Sequence, residues 1–325
     1  MDTGIQEIKE RSFISLKESL EKKVIAFYTD IWKDIREIDY QKWLDNFKDS
    51  EQDRLHALYL LSKFTYFGNL EIRAMLKAIY RDLYKYPIVE DIRNSNDDTT
   101  DESFLKGQFD SHRKGTRFLG VGDPSESGAH LLYYFRQENS LPKTCFIYAH
   151  ELFNSKYSVN EKRMEPTWAD NSINHVVFLD DFCGKGTQAI GYIKDYVKQI
   201  KKLSNACQVD YFVLVARRDG LKNVKKETGV DSAKAIFELD ESFKCFSSNS
   251  RYFANAKVGI DKKYCEEMCK KYGKKRTKDA KSPLGFNKDE LLLSFFHNTP
   301  NNTLPIFWTD KDWYPIFNRA IKIYK

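Results

Sequence analysis

The sequence lacks an apolar run long enough to span a membrane, and its charged, mixed N-terminus does not resemble a secretory signal. No repeat of roughly twenty to fifty residues is visible either. Of the six cysteines, Cys265 and Cys269 stand four apart, but no further metal ligands follow at suitable spacing. We therefore expect a cytoplasmic protein with reduced thiols and no membrane partner.

The composition indicates a folded chain. Apolar residues make up 41% and aromatic residues 14% of 325 residues, which is enough for a full core in one or two domains. The net charge of +6 fits a phosphorylated ligand or nucleic acid, although basic proteins without either are common.

The spacing of apolar residues changes along the chain. Apolar residues recur three and four apart up to residue 93, which predicts a helical N-terminal domain over residues 1–94 with its last clear helix ending at Pro87. The polar, acidic residues 95–103 are the best linker candidate. From 104–325, strand and helix patterns alternate, which predicts an α/β domain with a parallel sheet and C-terminal elaborations. The strand candidates are 116–121, 144–149, 176–179, 209–216, 235–239 and 291–296.

The most informative segment joins a buried-strand pattern to a glycine loop. The apolar run 176–179 is followed by Asp180 and Asp181, then by the loop 184–186 and a helical pattern from Thr187. Loop amides and a helix N-terminus favour an anion. Carboxylates accept hydrogen bonds from a sugar diol or coordinate magnesium. The segment therefore predicts a phosphate site beside a hydroxyl site.

A Walker-type phosphate loop does not explain this segment. That motif needs a glycine six residues before its lysine, and here Leu179 stands six before Lys185. The two aspartates would also lie where backbone amides should meet phosphate.

The segment resembles the fingerprint of type I phosphoribosyltransferases, in which two acidic residues and a short loop bind phosphoribosyl pyrophosphate (PRPP). The resemblance implies that Asp180 and Asp181 are the catalytic pair, holding the ribose hydroxyls and contacting Mg²⁺ indirectly. It implies that the 5′-phosphate is bound by Gly184, Lys185, Gly186, Thr187 and Gln188. Lys185 and Gln188 depart from the hydroxyl residues usual there; a lysine still binds phosphate as a point charge.

The chain as a whole resembles a divergent phosphoribosyltransferase-like family of bacterial conflict systems, including anti-phage loci with retron reverse transcriptases. The matching segments are 55–67 with 71–73, the acidic-pair loop, 250–253 and 297–305. This resemblance implies a toxic effector that is held inactive by a partner, such as a reverse transcriptase with its DNA–RNA product.

Further site residues follow from the family's order of loops. The turn between the first strand and its helix would bind pyrophosphate through Gly122, Ser125, Ser127 and Gly128. Such turns are also common without a ligand, so both interpretations stay open. The polar stretch 153–174 lies where the family carries a loop that covers the substrate, or it is a surface excursion.

Two more groups complete the predicted site. By resemblance, the polar segment after the last strand faces the nucleotide pocket through His297, Asn298, Asn301 and Asn302; its composition is equally typical of a turn. Arg217 ends a strand and is a candidate for contacting phosphate or base, although a solvated charge cluster is the commoner outcome.

These observations lead to one leading hypothesis and two alternatives. The leading hypothesis is a phosphoribosyltransferase-like glycosyltransferase that binds PRPP or a ribose-5-phosphate nucleotide with Mg²⁺ and acts at the anomeric carbon. The alternatives are a hydrolase of nucleotide or N-glycosidic bonds using the same pocket, and a non-catalytic nucleotide-sensing module.

Overall fold

The computed structural model describes residues 2–122, 127–158, 162–274 and 282–320. The chain divides into two compact units, the first made of Met1–Glu71 with Asp240–Lys325 and the second of Ile72–Leu239.

This division differs from the predicted one at 1–94, 95–103 and 104–325. Residues 95–101 connect two helices within the second unit rather than linking two domains. The reason is packing, because aromatic side chains before residue 95 reach the sheet; the Tyr84 ring lies 5.1 Å from that of Phe118, and the Tyr84 hydroxyl lies 2.7 Å from Thr116 Oγ1.

The first unit combines N-terminal helices with the C-terminal segment. Its short parallel strand pair joins Thr65 to Leu293, so the predicted helical domain 1–94 is interrupted by a strand. Ser50 begins the third helix by accepting a hydrogen bond from the Asp53 N–H at 3.1 Å. The regular elements are α1 (Asp2–Ala26, continued by a π-type turn Phe27–Ile31), α2 (Glu37–Asp45), α3 (Glu51–Leu61), β1 (Thr65–Phe67), α10 (Lys262–Lys274) and β8 (Leu293–Phe295). The division between the units falls within α4 (Asn69–Ala78).

The second unit is a parallel sheet covered by helices, which confirms the predicted α/β class. Within the described residues the strand order is β2 (Thr116–Gly120), β5 (His175–Cys183), β6 (Gln208–Arg217) and β7 (Ser232–Leu239), and all three neighbouring pairs run parallel. The elements are a π-type turn (Ile79–Lys85), α5 (Tyr86–Asn94), α6 (Glu102–Lys114), β2 (Thr116–Gly120), α7 (Ser127–Glu138), β3 (Phe153–Ser158), β4 (Arg163–Trp168), β5 (His175–Cys183), α8 (Thr187–Leu203), β6 (Gln208–Arg217), α9 (Arg218–Thr228) and β7 (Ser232–Leu239).

The core of this unit lies on β5 and β6, whose residues are almost all buried, as their apolar runs predict. The helices α8 and α9 cover one face of the sheet. They bury apolar residues at helical spacing, including Ile193, Val197 and Val224. No helix in the described part of the chain is long and apolar enough to cross a membrane.

Two sequence predictions need correction. Pro87 lies in the first turn of α5, where its missing N–H costs nothing, and does not end a helix. The predicted strand 144–149 is reduced to one parallel β-bridge, Phe146 with Phe118, between two short 3₁₀ turns, Lys143–Cys145 and Ala149–Leu152. The Glu151 carboxylate accepts the Tyr148 N–H at 2.6 Å and so favours a turn over a strand ladder. The polar stretch 153–174 contains two antiparallel strands, β3 and β4, and its role in covering a substrate stays a prediction.

A chain of polar groups, half-buried at His112 and buried at His175 and Asp210, lies at the amino edge of the sheet. His112 Nε2 lies 3.1 Å from His175 Nδ1, and His175 Nε2 lies 2.9 Å from Asp210 Oδ2. Burial, together with the neighbouring His175, lowers the pKa of His112 to about 4. The folded protein therefore disfavours a proton on His112.

We expect acid to destabilise the protein through His112. The pKa of His112 is about 4 in the folded chain against an ordinary 6.5, so between pH 6.5 and 4 the unfolded chain takes up a proton that the folded chain does not. In His112→Gln this part of the fall in unfolding free energy disappears, as urea denaturation at several pH values would measure. His130→Gln, an exposed position on α7, is the control. Identical pH slopes in both variants and the wild type would contradict this.

Candidate active site

The acidic pair lies within β5 rather than after it. Phe182 and Cys183 continue the pairing with β6, opposite Val215 and Ala216, so the strand extends two residues beyond the aspartates. The glycine loop therefore begins at the carboxyl end of β5, at the edge where ligands gather in parallel α/β sheets.

The two aspartates are adjacent in the strand, and the Asp181 side chain lies close enough to hydrogen-bond the Asp180 carboxyl. Asp180 Oδ2 accepts a hydrogen bond from the Tyr211 hydroxyl at 2.8 Å, and Asp180 Oδ1 accepts one from the Asp181 N–H at 2.9 Å. Both carboxylate oxygens of Asp180 are thus engaged inside the protein, and each aspartate is only 8% exposed.

Burial controls the electrostatics on the Asp180 side of the strand. Burial and the nearby charge of Asp181 raise the pKa of Asp180 well above its usual range. Burial and Asp180 likewise raise the pKa of the Tyr211 hydroxyl, and they raise the pKa of the Cys183 thiol to about 12. Asp180, Tyr211 and Cys183 therefore form a buried network that disfavours negative charge.

The glycine loop rests directly on α9. Gly186 has a φ of +82° and precedes α8, and its carbonyl accepts the Ile190 N–H at 2.8 Å. A Cβ on Gly220 would lie 1.9 Å from the Gly184 carbonyl oxygen, and one on Gly186 would lie 2.7 Å from Val224 Cγ2. Glycine at these positions lets the loop and helix approach each other closely.

The outer surface of this loop has the character of an anion site. Lys185, Thr187 and Gln188 are exposed around the first turn of α8. The first amides of a helix lack intrahelical acceptors and carry the positive end of its dipole. The loop therefore offers backbone donors, a hydroxyl and a cation.

The predicted pyrophosphate loop begins beside the acidic pair. The Val121 N–H donates to the Leu179 carbonyl at 2.9 Å, so the chain just after β2 lies next to the residue of β5 that precedes Asp180. Gly122 has a φ of +97°, and a Cβ on Gly128 would lie 2.3 Å from the Val121 carbonyl oxygen. Ser127 is the first residue of α7. Ser125 lies outside the described residues.

Arg217 ends β6 at the same edge of the sheet. It is 4% exposed, and its Nε and Nη2 donate to the two carboxylate oxygens of Asp219 at 2.9 and 3.1 Å. Burial raises the pKa of Asp219, but these bonds outweigh burial and the net pKa is lowered. Arg217 is therefore held in a bidentate ion pair, and its contact with a ligand stays a prediction.

The polar segment after β8 belongs to the first unit, whereas the acidic pair belongs to the second. Asn302 donates to Asp289 Oδ2 at 2.6 Å, the Asn301 carbonyl accepts the Phe286 N–H at 2.7 Å, and Asn298 Oδ1 accepts a backbone N–H at 3.1 Å. The His297 ring stacks on Phe295 at 5.5 Å. These contacts explain the segment as turn chemistry, and its ligand role stays a prediction.

A metal would be held here only with help from a ligand. The described ranges contain no group of three or more His, Cys, Asp or Glu residues that could hold a metal ion. Both carboxylate oxygens of Asp180 already accept hydrogen bonds from within the protein. The donor set therefore fits Mg²⁺ bound chiefly by ligand oxygens and water rather than by the protein alone.

Sequence reasoning missed Tyr211 and Gly220. Tyr211 carries a hydroxyl within an apolar run, which is a signal of a buried partner, but the register that places it near Asp180 is not visible in the sequence. Gly220 follows Arg217 by three residues, and only the packing of α9 on the loop gives it significance.

The geometry defines a phosphoribosyltransferase-like α/β protein with a carboxylate pair beside a phosphate-type loop. A family model described as PRTase-CE matches residues 40–319, which is most of the chain, and the chain belongs to the PRTase-CE family. This membership confirms the phosphoribosyltransferase-like character expected from the sequence. Among curated protein sequences, none matches the chain.

Several solved structures are similar to parts of the chain. Orotate phosphoribosyltransferase from Aeropyrum pernix is 18% identical with a TM-score of 0.25, over 40% of this chain and 63% of that one, so the chain spans less than two thirds of it. A hypothetical protein from Neisseria gonorrhoeae with bound ppGpp is 13% identical with a TM-score of 0.29, over 55% and 85%. Adenine phosphoribosyltransferase from Trypanosoma brucei is 15% identical with a TM-score of 0.24, over 45% and 68%.

We expect the contact between loop and α9 to tolerate no added methyl group. Gly220→Ala places a Cβ against the Gly184 carbonyl and should lower the free energy of unfolding by roughly 1–3 kcal/mol. The control Gly191→Ala, within α8, meets no atom within 4 Å and should raise it by about 0.5–1 kcal/mol. Urea denaturation compares the two. Equal stabilities would show that the loop moves aside without cost.

Proposed function

We propose that the protein is a phosphoribosyltransferase-like enzyme that binds PRPP or a ribose-5-phosphate nucleotide with Mg²⁺ and acts at the ribose anomeric carbon. The observation that carries this proposal is the acidic pair two residues before the end of β5, where a glycine loop and the N-terminus of α8 follow. The membership in the PRTase-CE family supports it.

Each part of the site has a separate proposed role in binding the phosphate, binding the ribose or positioning a carboxylate. The amides of the loop 184–186 and the first turn of α8 hold the 5′-phosphate, with Lys185 as a nearby cation. Asp181 accepts hydrogen bonds from the ribose hydroxyls. Asp180, fixed by Tyr211, holds the Asp181 peptide N–H and so positions Asp181. This separates a ligand-contacting carboxylate from a positioning one.

The chemistry proposed for this site is a displacement at carbon. The bond between the anomeric carbon and its leaving group breaks with the electron pair going to the leaving group. The acceptor atom forms the new bond and loses its proton. Positive charge develops on the sugar in between, and the neighbouring carboxylate of Asp181 favours it. No protein nucleophile is required.

Magnesium, when bound, would neutralise the leaving pyrophosphate. Its contact with Asp180 and Asp181 would run through ligand hydroxyls and water. The loop after β2, with Gly122 and Gly128 allowing close backbone approach, is the proposed pyrophosphate side of the site.

Two alternatives share the pocket. A hydrolase would use water as the acceptor, and it would release free base and ribose phosphate without consuming pyrophosphate. A sensing module would bind a nucleotide without turnover. The observation that favours sensing is that Lys185 and Gln188, both exposed, replace the hydroxyl residues usual in the phosphate loop.

The proposed biological role is that of a toxic effector in a retron-type anti-phage system. It is supported by the resemblance of segments spread over most of the chain to such a family. The proposed partner is a reverse transcriptase with its DNA–RNA product, which would hold the effector inactive in the cytoplasm.

Calorimetry with PRPP and Mg²⁺ should show binding that depends on the acidic pair. We expect binding by the wild type and at least a tenfold loss in Asp181→Asn and in the double variant Asp180→Asn/Asp181→Asn, because the ribose hydroxyls lose a charged acceptor. Asp97→Asn/Asp98→Asn is the matched control, since it neutralises an adjacent but exposed aspartate pair in the same unit. Undiminished binding in Asp181→Asn would contradict its role.

Expression in bacteria should test the effector role. We expect the chain alone to arrest growth, and co-expression of a retron reverse transcriptase and its RNA to relieve the arrest. Asp181→Asn, matched in expression level, should be harmless because the proposed chemistry is lost. Harmless wild-type expression together with no complex on co-purification would overturn this role.

A further inference from the structure

The parallel sheet of the second unit ends in a long edge strand. Among the described strands, β7 is the last in the sheet and pairs with β6 alone. It has eight residues, and most of its side chains are exposed or half-buried. An open edge of this kind is a template for another strand unless it is short, covered or protected by charge. The charges along β7 therefore decide whether this edge repels or accepts a partner.

The hydrogen bonds of the neighbouring strands fix which residues of β7 direct their backbone outward. The Gln208 N–H donates to the Asn174 carbonyl at 2.9 Å, so even-numbered residues of β6 face β5 and odd-numbered residues face β7. Val213 thus faces β7, where it lies opposite Ala235. In a parallel pair such a residue bonds to the two neighbours of its opposite residue. Ala235 itself therefore directs its N–H and C=O to the outer edge.

The side chains of one face give this edge its charge pattern. Lys234, Ile236 and Glu238 follow at every second position and so share a face of β7. Lys234 is exposed and forms no ion pair with any residue in the described ranges. Glu238 lies 3.1 Å from Arg218, but these two side chains are 43% and 60% exposed, so the pair contributes little and can exchange partners.

The order of lysine, isoleucine and glutamate is complementary to itself in the reverse direction. An antiparallel pairing with a two-fold axis at Ile236 places Lys234 of each copy directly opposite Glu238 of the other. Opposite charges across antiparallel strands stabilise the pairing, and like charges weaken it. An axis at Lys234 or at Glu238 would instead oppose like charges. The pattern therefore favours one register, which also brings outward-directed backbone groups of the two strands opposite each other.

We infer that the protein forms a two-fold dimer in which β7 pairs antiparallel with β7 of a second copy. The two four-stranded sheets then become one sheet of eight strands. A two-fold interface uses the same surface on both subunits and must be self-complementary, as this edge is. A basic or an acidic peptide would match only one of the two charges. The dimer does not depend on the proposed function, because neither the acidic pair nor the glycine loop takes part in it.

Analytical ultracentrifugation of the full chain over a range of concentrations tests the dimer. We expect a reversible monomer–dimer equilibrium for the wild type. Lys234→Glu and Glu238→Lys should each weaken the dimer roughly tenfold or more, because like charges then oppose each other at both ends of the pairing. Lys234→Glu/Glu238→Lys exchanges the two charges and should restore the dimer. The matched control is Lys106→Glu, the same charge change at an exposed position of α6.

A proline at residue 235 tests the backbone part of the interface. Ala235→Pro removes an N–H that β7 does not use within its own sheet, and proline is tolerated on an edge strand in that position. We expect a folded chain by circular dichroism that sediments as a monomer. If this variant does not fold, the charge-exchange variants still decide the question.

Three results would overturn the inference. The first is a wild type that is monomeric at every concentration. The second is a dimer that Lys234→Glu and Glu238→Lys weaken no more than Lys106→Glu does. The third is a folded charge-exchange variant that stays dissociated although both single variants dissociate.

Discussion

The hydrogen bond between Tyr211 and Asp180 is the interaction on which the candidate site depends. It joins the two central strands within the buried core, four residues before the glycine loop begins at Gly184. A carboxyl group in such surroundings is costly unless its oxygens have partners, and here Tyr211 and the Asp181 N–H supply both. The consequence is a fixed backbone at Asp181, whose side chain lies beside the Asp180 carboxyl.

The glycine loop adds a second constraint of shape. Its backbone approaches α9 so closely that side chains at Gly186 and Gly220 have no room. Loop, helix and strand end are thus held together by contacts that involve few side chains, which leaves the exposed surface of the loop free to vary. This explains how Lys185 and Gln188 can replace hydroxyl residues without altering the backbone beneath them.

Local sequence was sufficient for the parts of the fold that depend on local pattern. The strand and helix around Asp180 and the runs that became β6 and β7 were predicted because continuous apolar segments next to glycine are local signals. The predicted strand 144–149 did not form a full strand, because the Glu151 side chain caps a turn there. The predicted domain boundary at residue 94 was wrong, because long-range packing places residues on both sides of it in one unit. Tyr211 was missed because its partner lies on another strand.

The pairing of β1 with β8 has a consequence for synthesis on the ribosome. Thr65 pairs with Leu293, so the first unit contains segments from both ends of the chain, whereas Ile72–Leu239 is continuous. Domains generally fold as units while the chain emerges from its N-terminus. The sheet that carries the acidic pair can therefore form before β8, the strand that pairs with β1, has been synthesised. The order of translation thus places the candidate site in the first part of the protein to become structured.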